Sequence, residues 1–184
     1  MAGGTFYLIV GPSGAGKDTL IDGARAALVG DSDYVFARRV ITRPADAGGE
    51  DHQAATEDEF NAREQSGGFL ISWQAHGLSY GLEKSLENDL AQGRNIIANV
   101  SRAILPEIIV RYPSHCIVEI TATPEILAER LAHRGRESAP EITERLSREG
   151  TQYPSGAKRI TLMNDRSREE GVAELLAILK GPQC

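Results

Sequence analysis

Short apolar runs alternate with longer amphipathic stretches along this chain. The apolar runs are rich in β-branched residues and predict strands buried on both faces; they cover residues 5–10, 35–41, 95–100 and 115–122. The amphipathic stretches have apolar residues at helical spacing and predict helices over residues 19–28, 57–64, 82–92, 124–133, 141–149 and 169–179. This alternation predicts an α/β fold with a central parallel sheet, helices on both faces, and a ligand crevice at the carboxyl ends of the strands.

Residues 42–81 interrupt the alternation. The segment is rich in glycine and polar residues and contains one short apolar run near residues 69–72. It predicts a small subdomain inserted over the crevice. The length of 184 residues otherwise fits a single domain.

Charge and composition narrow the class of protein. The net charge of −6 argues against a nucleic-acid-binding protein, because such proteins usually carry a basic face. The apolar run at residues 6–10 is too short for a signal peptide and has no basic region before it. No run approaches the roughly 20 apolar residues of a membrane span. We expect a cytoplasmic protein that binds small molecules and no membrane; the sequence leaves a homodimer open.

A glycine-rich loop, GPSGAGKDT, follows the first predicted strand and opens the first predicted helix. It departs by one residue from the phosphate-binding pattern G-x-x-x-x-G-K-[ST]. Backbone N–H groups and the positive helix end would hold a polyphosphate, and Lys17 would follow the shifting charge of the β- and γ-phosphates. The expected nucleotide-binding residues are Gly11, Pro12, Ser13, Gly14, Ala15, Gly16, Lys17, Asp18 and Thr19. The alternative is a turn that merely joins strand and helix.

Asp18 stands where the pattern has a hydroxyl residue that contacts Mg²⁺. It is an inert substitution, a residue that abolishes the site, or the metal ligand itself. Phosphate-loop enzymes usually place a carboxylate at the end of a neighbouring strand, but the strand NIIANVSR ends in Asn99, Val100 and Ser101. Because carboxylate oxygen is a strong Mg²⁺ ligand, we favour Asp18 as the metal ligand, directly or through a water. ATP and Mg²⁺ are therefore the expected cofactors, and Lys17 and Asp18 are candidate catalytic residues.

Arginines are concentrated near residues 134–148, which we interpret as a lid over the nucleotide. Arg134, Arg136 and Arg145 would stabilise the oxygens of the phosphoryl group during transfer. Closure would also exclude water. The alternative is a solvated charged helix, because arginines and glutamates are mixed in this stretch.

Two further segments resemble guanylate kinases. That family pairs the loop GPSGAGKST with the segments T-T-R-P-x-R-x-G-E and F-L-E-W-x-x-x-x-G-x-Y-Y-G. The matching residues here are Thr42, Arg43, Pro44, Phe69, Leu70, Gly77, Tyr80 and Gly81. The resemblance implies a P-loop NTPase three-layer fold in which residues 42–81 bind the phosphoryl acceptor.

The residues that would read a guanine base are missing. Ile71 stands where the family has a glutamate that accepts the N–H donors of the guanine edge. Asn99 and Ser101 replace two aspartates, Asp46 replaces the second arginine of the acceptor segment, and His52 replaces a phosphate-binding tyrosine. Because buried polar groups give the largest discrimination between ligands, we expect that the site does not read a base.

With these departures, the chain resembles the ribose 1,5-bisphosphate phosphokinases of phosphonate-using bacteria. The chain is similar to that family in GPSGxGKD, ITRxAxAGxExH, LSWxAxGLxYG (with Ile71 at its first position), NxSRAxLP and RGREx(3)EIxxRL, over nearly all of its length. The resemblance implies that the γ-phosphate of ATP moves onto the 1-phosphate of ribose 1,5-bisphosphate. The products would be 5-phospho-α-D-ribose 1-diphosphate (PRPP) and ADP, in phosphonate catabolism.

A sugar with two phosphates requires cations and hydroxyl readers rather than a base slot. Guanidinium groups match phosphate geometry. The expected substrate-binding residues are Arg43, Glu50, His52, Tyr80, Asn99, Ser101 and Arg102. The alternatives are surface ion pairs for Arg43 and Arg102 and an ordinary loop histidine at His52.

Two other functions remain open at this point. A kinase for another phosphorylated acceptor, such as a nucleoside monophosphate, would share the loop and the fold. A non-catalytic binding module built on the guanylate kinase fold is the third candidate, but such modules lose the loop lysine, whereas Lys17 is present.

Overall fold

The computed structural model describes residues 3–47, 50–133 and 153–182. These residues contain fifteen helices and strands. They are β1 (Phe6–Val10), α1 (Lys17–Ala27), β2 (Tyr34–Phe36), β3 (Val40–Ile41), β4 (Gln53–Ala54), α2 (Glu57–Gln65), β5 (Phe69–Ala75), β6 (Leu78–Glu83), α3 (Leu86–Ala91), β7 (Asn95–Asn99), α4 (Leu105–Arg111), β8 (His115–Thr121), α5 (Pro124–His133), β9 (Arg159–Met163) and α6 (Arg168–Lys180). Short 3-10 helices occur at Ala45–Ala47 and Arg102–Ile104.

The central sheet has the strand order β2-β7-β1-β8-β9, and all of its strand pairs are parallel. β1 lies in the middle, and each of its residues is at most 1% exposed. Phe6, Leu8 and Val10 face one hydrophobic core, whereas Tyr7 and Ile9 face the other. Burial on both faces explains why this strand is a continuous apolar run without alternation. The predicted α/β fold with a central parallel sheet is confirmed.

Helices cover both faces of this sheet. On one face α1 and α6 contribute Leu20, Ala24 and Leu175 to the core around Ile9. On the other face α3 and α4 contribute Leu86, Leu105 and Ile108 to the core around Phe6. Among the described residues, no helix is long and apolar enough to cross a membrane.

A second sheet, with the strand order β4-β3-β6-β5, is formed within residues 40–83. β5 and β6 pair as an antiparallel hairpin in which Trp73 lies opposite Tyr80. Leu70, Ile71 and Leu82 of this hairpin belong to the same hydrophobic core as Phe6 and Leu8 of β1. The segment 42–81 therefore contributes β4, β5 and most of β6 to a sheet that packs onto the central one.

Several predicted elements differ from the observed ones. The strand predicted at 35–41 is two separate strands. Ala37 N–H donates to the carbonyl oxygen of Ile97, and beyond this residue the chain leaves the central sheet and joins the second sheet at β3. The helix predicted at 82–92 begins only at Leu86, because Leu82 and Glu83 pair with β5. β6, α4 and β9 have no counterpart among the predicted elements. The helix predicted at 141–149 lies outside the described residues.

The turn after β1 requires glycine. Gly11 has φ of +148°, and a Cβ there would lie 1.9 Å from the carbonyl oxygen of Ile120 in β8. We predict that Gly11→Ala lowers the free energy of unfolding by about 3 kcal/mol or more, because a backbone carbonyl in a central strand cannot move aside. Urea denaturation measures this loss.

Gly30 provides the matched control. It has φ of +86°, but a Cβ there would meet no atom within 4 Å. Gly30→Ala should therefore cost only the conformational penalty of about 1–2 kcal/mol. Equal losses in the two variants would show that the contact with Ile120 does not constrain the turn.

Candidate nucleotide and acceptor site

A cavity of about 670 Å³ lies where β1 and β7 end, between the central sheet and the second sheet. Three parts of the chain line it: the glycine-rich loop, the second sheet with the residues that flank β3, and the segment after β7. The lining residues are Gly11, Ser13, Gly14, Gly16, Lys17, Asp18, Arg39, Arg43, Trp73, Ala75, His76, Leu78, Tyr80, Asn99, Val100, Ser101 and Arg102. In open α/β sheets, ligands bind in the crevice at the carboxyl ends of the parallel strands, which is where this cavity lies.

The glycine-rich loop wraps around its own lysine. Gly16 has φ of +87° and precedes α1, whose first turn has no side-chain cap, so backbone N–H groups at the start of this helix can donate to an anion. Lys17 Nζ donates to the carbonyl oxygens of Gly11 at 2.6 Å and Pro12 at 2.8 Å. The ammonium group therefore lies inside the curve of the loop, where a phosphate-binding lysine is required.

Asn164 and Arg130 support this loop through hydrogen bonds, and no sequence pattern predicts either role. Asn164 is 5% exposed, and its Nδ2 donates to the carbonyl oxygen of Ala15 at 2.7 Å. Arg130 Nη2 donates to the carbonyl oxygen of Asn164 at 2.8 Å. The supporting residues come from α5 and from the end of β9, so only the sheet order brings them to the loop.

Asp18 and Asn99 meet at the end of the two central strands. Asn99 Nδ2 donates to Asp18 Oδ1 at 2.8 Å, and Asn99 pairs with Ile9 at the end of β7. The carboxylate is thus oriented by an amide and lines the cavity beside Lys17. No group of three or more metal-binding side chains is found among the described residues. A single carboxylate fits Mg²⁺, which keeps several waters and takes substrate phosphates as further ligands.

Arg39 and Arg43 form the cationic wall of the second sheet. Glu50 accepts from Arg39 Nε at 2.6 Å and also from its Nη2, and Glu50 Oε1 lies 3.6 Å from Arg43 Nη2. His52 is 4% exposed, and its ring nitrogens lie 3.1 Å from the carbonyl oxygen of Arg43 and 3.0 Å from that of Glu50. Glu50 and His52 do not line the cavity; they lie against the arginines that do.

Aromatic side chains hold this wall in place. The Trp73 and Tyr80 rings are stacked, with centroids 5.4 Å apart and planes 7° from parallel. The Arg39 guanidinium lies 5.2 Å from the centre of the Tyr80 ring, a favourable cation–π distance. Both rings line the cavity and belong to the core.

Arg102 is held by a second buried carboxylate. Glu119, at 6% exposure in β8, accepts from Arg102 at 3.3 Å and from Arg159 at 3.0 Å. Arg102 Nε also donates to the Tyr153 hydroxyl at 3.1 Å. Burial, with a hydrogen bond to Glu119, raises the pKa of Tyr153 to about 12, so this phenol stays neutral at physiological pH. Neither Glu119 nor Tyr153 has a local sequence pattern that would reveal this role.

The structure brings most of the predicted site residues to one cavity. Those that line it are Gly11, Ser13, Gly14, Gly16, Lys17, Asp18, Arg43, Tyr80, Asn99, Ser101 and Arg102. Pro12, Ala15 and Thr19 belong to the loop or its helix but do not line the cavity. Arg134, Arg136 and Arg145, with the proposed lid at 134–148, lie outside the described residues. The individual roles of all these residues stay predictions.

The fold and the loop define the class of protein first. A crystal structure of guanylate kinase from Anaplasma phagocytophilum superimposes with a TM-score of 0.71 at 18% identity, covering 99% of this chain and 87% of that one. No protein-family model matches the chain. The fold is therefore that of guanylate-kinase-like P-loop proteins, as predicted.

Sequence relatives then give the family. The chain is 44% identical over 173 residues to the ribose 1,5-bisphosphate phosphokinase of Agrobacterium fabrum, covering 94% of each chain. It is 51% identical over 179 residues to a bifunctional ribose 1,5-bisphosphokinase-thymidine phosphorylase of Cupriavidus necator, covering 97% of this chain but 30% of that protein. The chain belongs to the ribose 1,5-bisphosphate phosphokinase family. It spans between 26% and 30% of the length of such bifunctional relatives.

The Asn164 support gives a first test of the site. We predict that Asn164→Leu lowers the free energy of unfolding by about 1–3 kcal/mol, because the buried carbonyl of Ala15 loses its donor. It should also weaken ADP binding, measured by titration calorimetry, since the loop is no longer held.

Arg166→Ala is the control for this variant. Arg166 is two residues further along and makes an exposed ion pair with Glu174, so its removal should change stability by less than about 1 kcal/mol and leave ADP affinity unchanged. Unaltered ADP affinity in Asn164→Leu would contradict a supporting role.

Proposed function

We propose that this protein transfers the γ-phosphoryl group of ATP to the 1-phosphate of ribose 1,5-bisphosphate, forming PRPP and ADP. One observation carries the proposal: the glycine-rich loop with Lys17 and the side chains of Arg39, Arg43 and Arg102 line the same cavity. Family membership supports the same substrate.

The acceptor side of the cavity suits a phosphorylated sugar better than a nucleobase. Ile71, which replaces the guanine-reading glutamate, is 5% exposed and belongs to the hydrophobic core. Tyr80, Ser101 and Asn99 line the cavity and offer hydroxyl and amide groups to sugar hydroxyls or phosphate oxygens. Hydrogen bonds of this kind, with nearby guanidinium groups, match the polar groups of a ribose bisphosphate.

In the proposed reaction, an oxygen of the acceptor's 1-phosphate attacks the γ-phosphorus, and the bond to the β–γ bridging oxygen breaks to release ADP. The acceptor phosphate is already ionised at neutral pH, so no general base is required. The protein's task is alignment and charge stabilisation. Lys17 and the loop N–H groups hold the donor phosphates, while Arg43 and Arg102 hold the acceptor.

Asp18 is the proposed Mg²⁺ ligand, with Asn99 as the residue that orients it. When bound there, Mg²⁺ would neutralise charge on the β- and γ-phosphates. The amide of Asn99 cannot replace the carboxylate as an anion, but its hydrogen bond to Oδ1 restricts rotation of the Asp18 side chain and leaves the second carboxylate oxygen for the metal or its water.

Substrate comparison tests the proposed function. With ATP and Mg²⁺, we expect kcat/KM for ribose 1,5-bisphosphate to exceed that for GMP or AMP by at least about 100-fold, because the site has no buried base reader. ADP release and the diphosphate product are measured together, and Lys17→Ala serves as the inactive control. Faster turnover with GMP would show that the protein is a nucleoside monophosphate kinase.

The metal role has a binding test that does not depend on turnover. We predict that Mg²⁺ strengthens ADP binding to the unmodified protein and that Asp18→Ala removes this enhancement, because the carboxylate ligand is lost. Asn99→Ala should reduce the enhancement by about tenfold, as expected for a residue that orients a ligand. Titration calorimetry with and without Mg²⁺ gives both values.

Asp22→Ala is the matched control, because Asp22 lies on the same helix, pairs with Arg25 and does not line the cavity. It should bind ADP and Mg²⁺ as the unmodified protein does. An undiminished Mg²⁺ enhancement in Asp18→Ala would show that the metal is held elsewhere.

A further inference from the structure

Arg39 lines the cavity but belongs to none of the sequence motifs that predict the site. Its guanidinium is fixed from two directions. Glu50 accepts two hydrogen bonds along one edge, from Nε and Nη2, and the guanidinium carbon lies over the ring of Tyr80, 5.2 Å from its centre. Tyr80 is itself stacked on Trp73. Arg39 is therefore oriented before any ligand binds.

The opposite edge of this guanidinium is available to a ligand. A guanidinium has five N–H groups in a planar fork, and Glu50 engages one edge only. Within the described residues, Nη1 of Arg39 has no hydrogen-bond partner, and the side chain lines the cavity. A fixed planar edge with free donors matches two oxygens of one phosphate.

Arg43 is held less firmly than its neighbour. Its Nη2 lies 3.3 Å from His52 Nδ1 and 3.6 Å from Glu50. Its Nε is buried without a hydrogen-bond partner among the described residues. Arg43 is therefore free to adjust its contacts when charge changes in the cavity, whereas Arg39 is not.

The difference between a fixed Arg39 and an adjustable Arg43 suits two different phosphates of the proposed acceptor. The reacting phosphate changes its charge distribution during transfer, and the other phosphate does not. A fixed partner suits the unchanging phosphate, because a pre-ordered side chain loses little entropy on binding. An acceptor with only the reacting phosphate would leave the free edge of the Arg39 guanidinium without a ligand.

Building on the proposed function, we propose that Arg39 binds the phosphate that is not phosphorylated, the 5-phosphate of ribose 1,5-bisphosphate. Glu50 and Tyr80 are positioning residues that act through Arg39. Arg39 thereby selects sugars that carry a second phosphate.

Inhibition by the two monophosphates of ribose tests this assignment. Ribose 5-phosphate and ribose 1-phosphate each carry one of the two phosphates of ribose 1,5-bisphosphate, and we expect both to compete with it. Arg39→Met should raise the inhibition constant of ribose 5-phosphate on the order of 30-fold, the loss expected for hydrogen bonds to a charged group. The constant for ribose 1-phosphate should change by less than about threefold. Arg39→Lys should recover only part of the affinity, because an ammonium group lacks the planar fork.

Arg25→Met is the control, since Arg25 pairs with Asp22 on α1 and does not line the cavity. Both inhibition constants should stay unchanged in it. Equal increases for the two inhibitors in Arg39→Met, or no increase for either, would overturn the assignment. If Arg39→Met does not fold, as judged by circular dichroism, Arg39→Lys provides the same comparison between the two inhibitors.

Failure of the proposed function would be visible separately, in the unmodified protein. If that protein does not turn over ribose 1,5-bisphosphate, the proposed function and this inference both fall. If it does turn over the substrate and the two inhibitors respond alike to Arg39→Met, only the assignment of Arg39 falls.

Discussion

The burial of β1 on both faces is the constraint on which the site depends. Alternate side chains of this strand enter two separate cores, so no position along it can carry a charged group without a large desolvation cost. Chemistry is confined to the point where the strand ends. There Gly11 turns the chain past Ile120, and the loop delivers Lys17 and Asp18 to the start of α1, where the helix end favours anions.

Two carboxylates, on Glu50 and Glu119, offset the energetic cost of placing several arginines around one cavity. Glu50 pairs with Arg39 and lies near Arg43, while Glu119 pairs with Arg102 and Arg159. Without these partners the partly desolvated guanidinium groups would lack a compensating charge and would repel one another. An unpaired buried ion costs about 3–5 kcal/mol. The carboxylates orient Arg39 and Arg102, whereas Arg43 has looser contacts. Under the proposed function, an anionic substrate would meet two guanidinium groups that are already oriented.

Patterns within short segments were sufficient for the central fold and for the loop. The parallel strands 5–10, 95–100 and 115–122 were predictable because burial on both faces leaves an uninterrupted apolar run. The hairpin strand β6 was not, because LSYGLE mixes polar residues and glycine, and its pairing with β5 depends on tertiary packing. β9 is an edge strand with alternate exposed residues, and it gives only a weak signal.

The site divides in the same way. Lys17, Asp18 and Arg43 belong to contiguous motifs and could be found from the sequence. Arg39 and Glu119 could not, because their significance arises from partners that only the fold brings near them. Arg39 follows a strand end and meets Glu50 across the second sheet, and Glu119 is a single acidic residue within the apolar strand β8.

Residues 18 and 99 have to be considered as a pair. Asp18 Oδ1 and Asn99 Nδ2 lie at hydrogen-bond distance, so carboxylates at both positions would place like charges in contact. A hydroxyl residue in the loop with an amide on the strand would leave the pair without an anion for a cation. One carboxylate with one neutral partner satisfies both limits, whichever position carries the charge. The aspartate that breaks the usual loop pattern therefore supplies the single carboxylate that the proposed metal role requires, and Asn99 is its neutral partner.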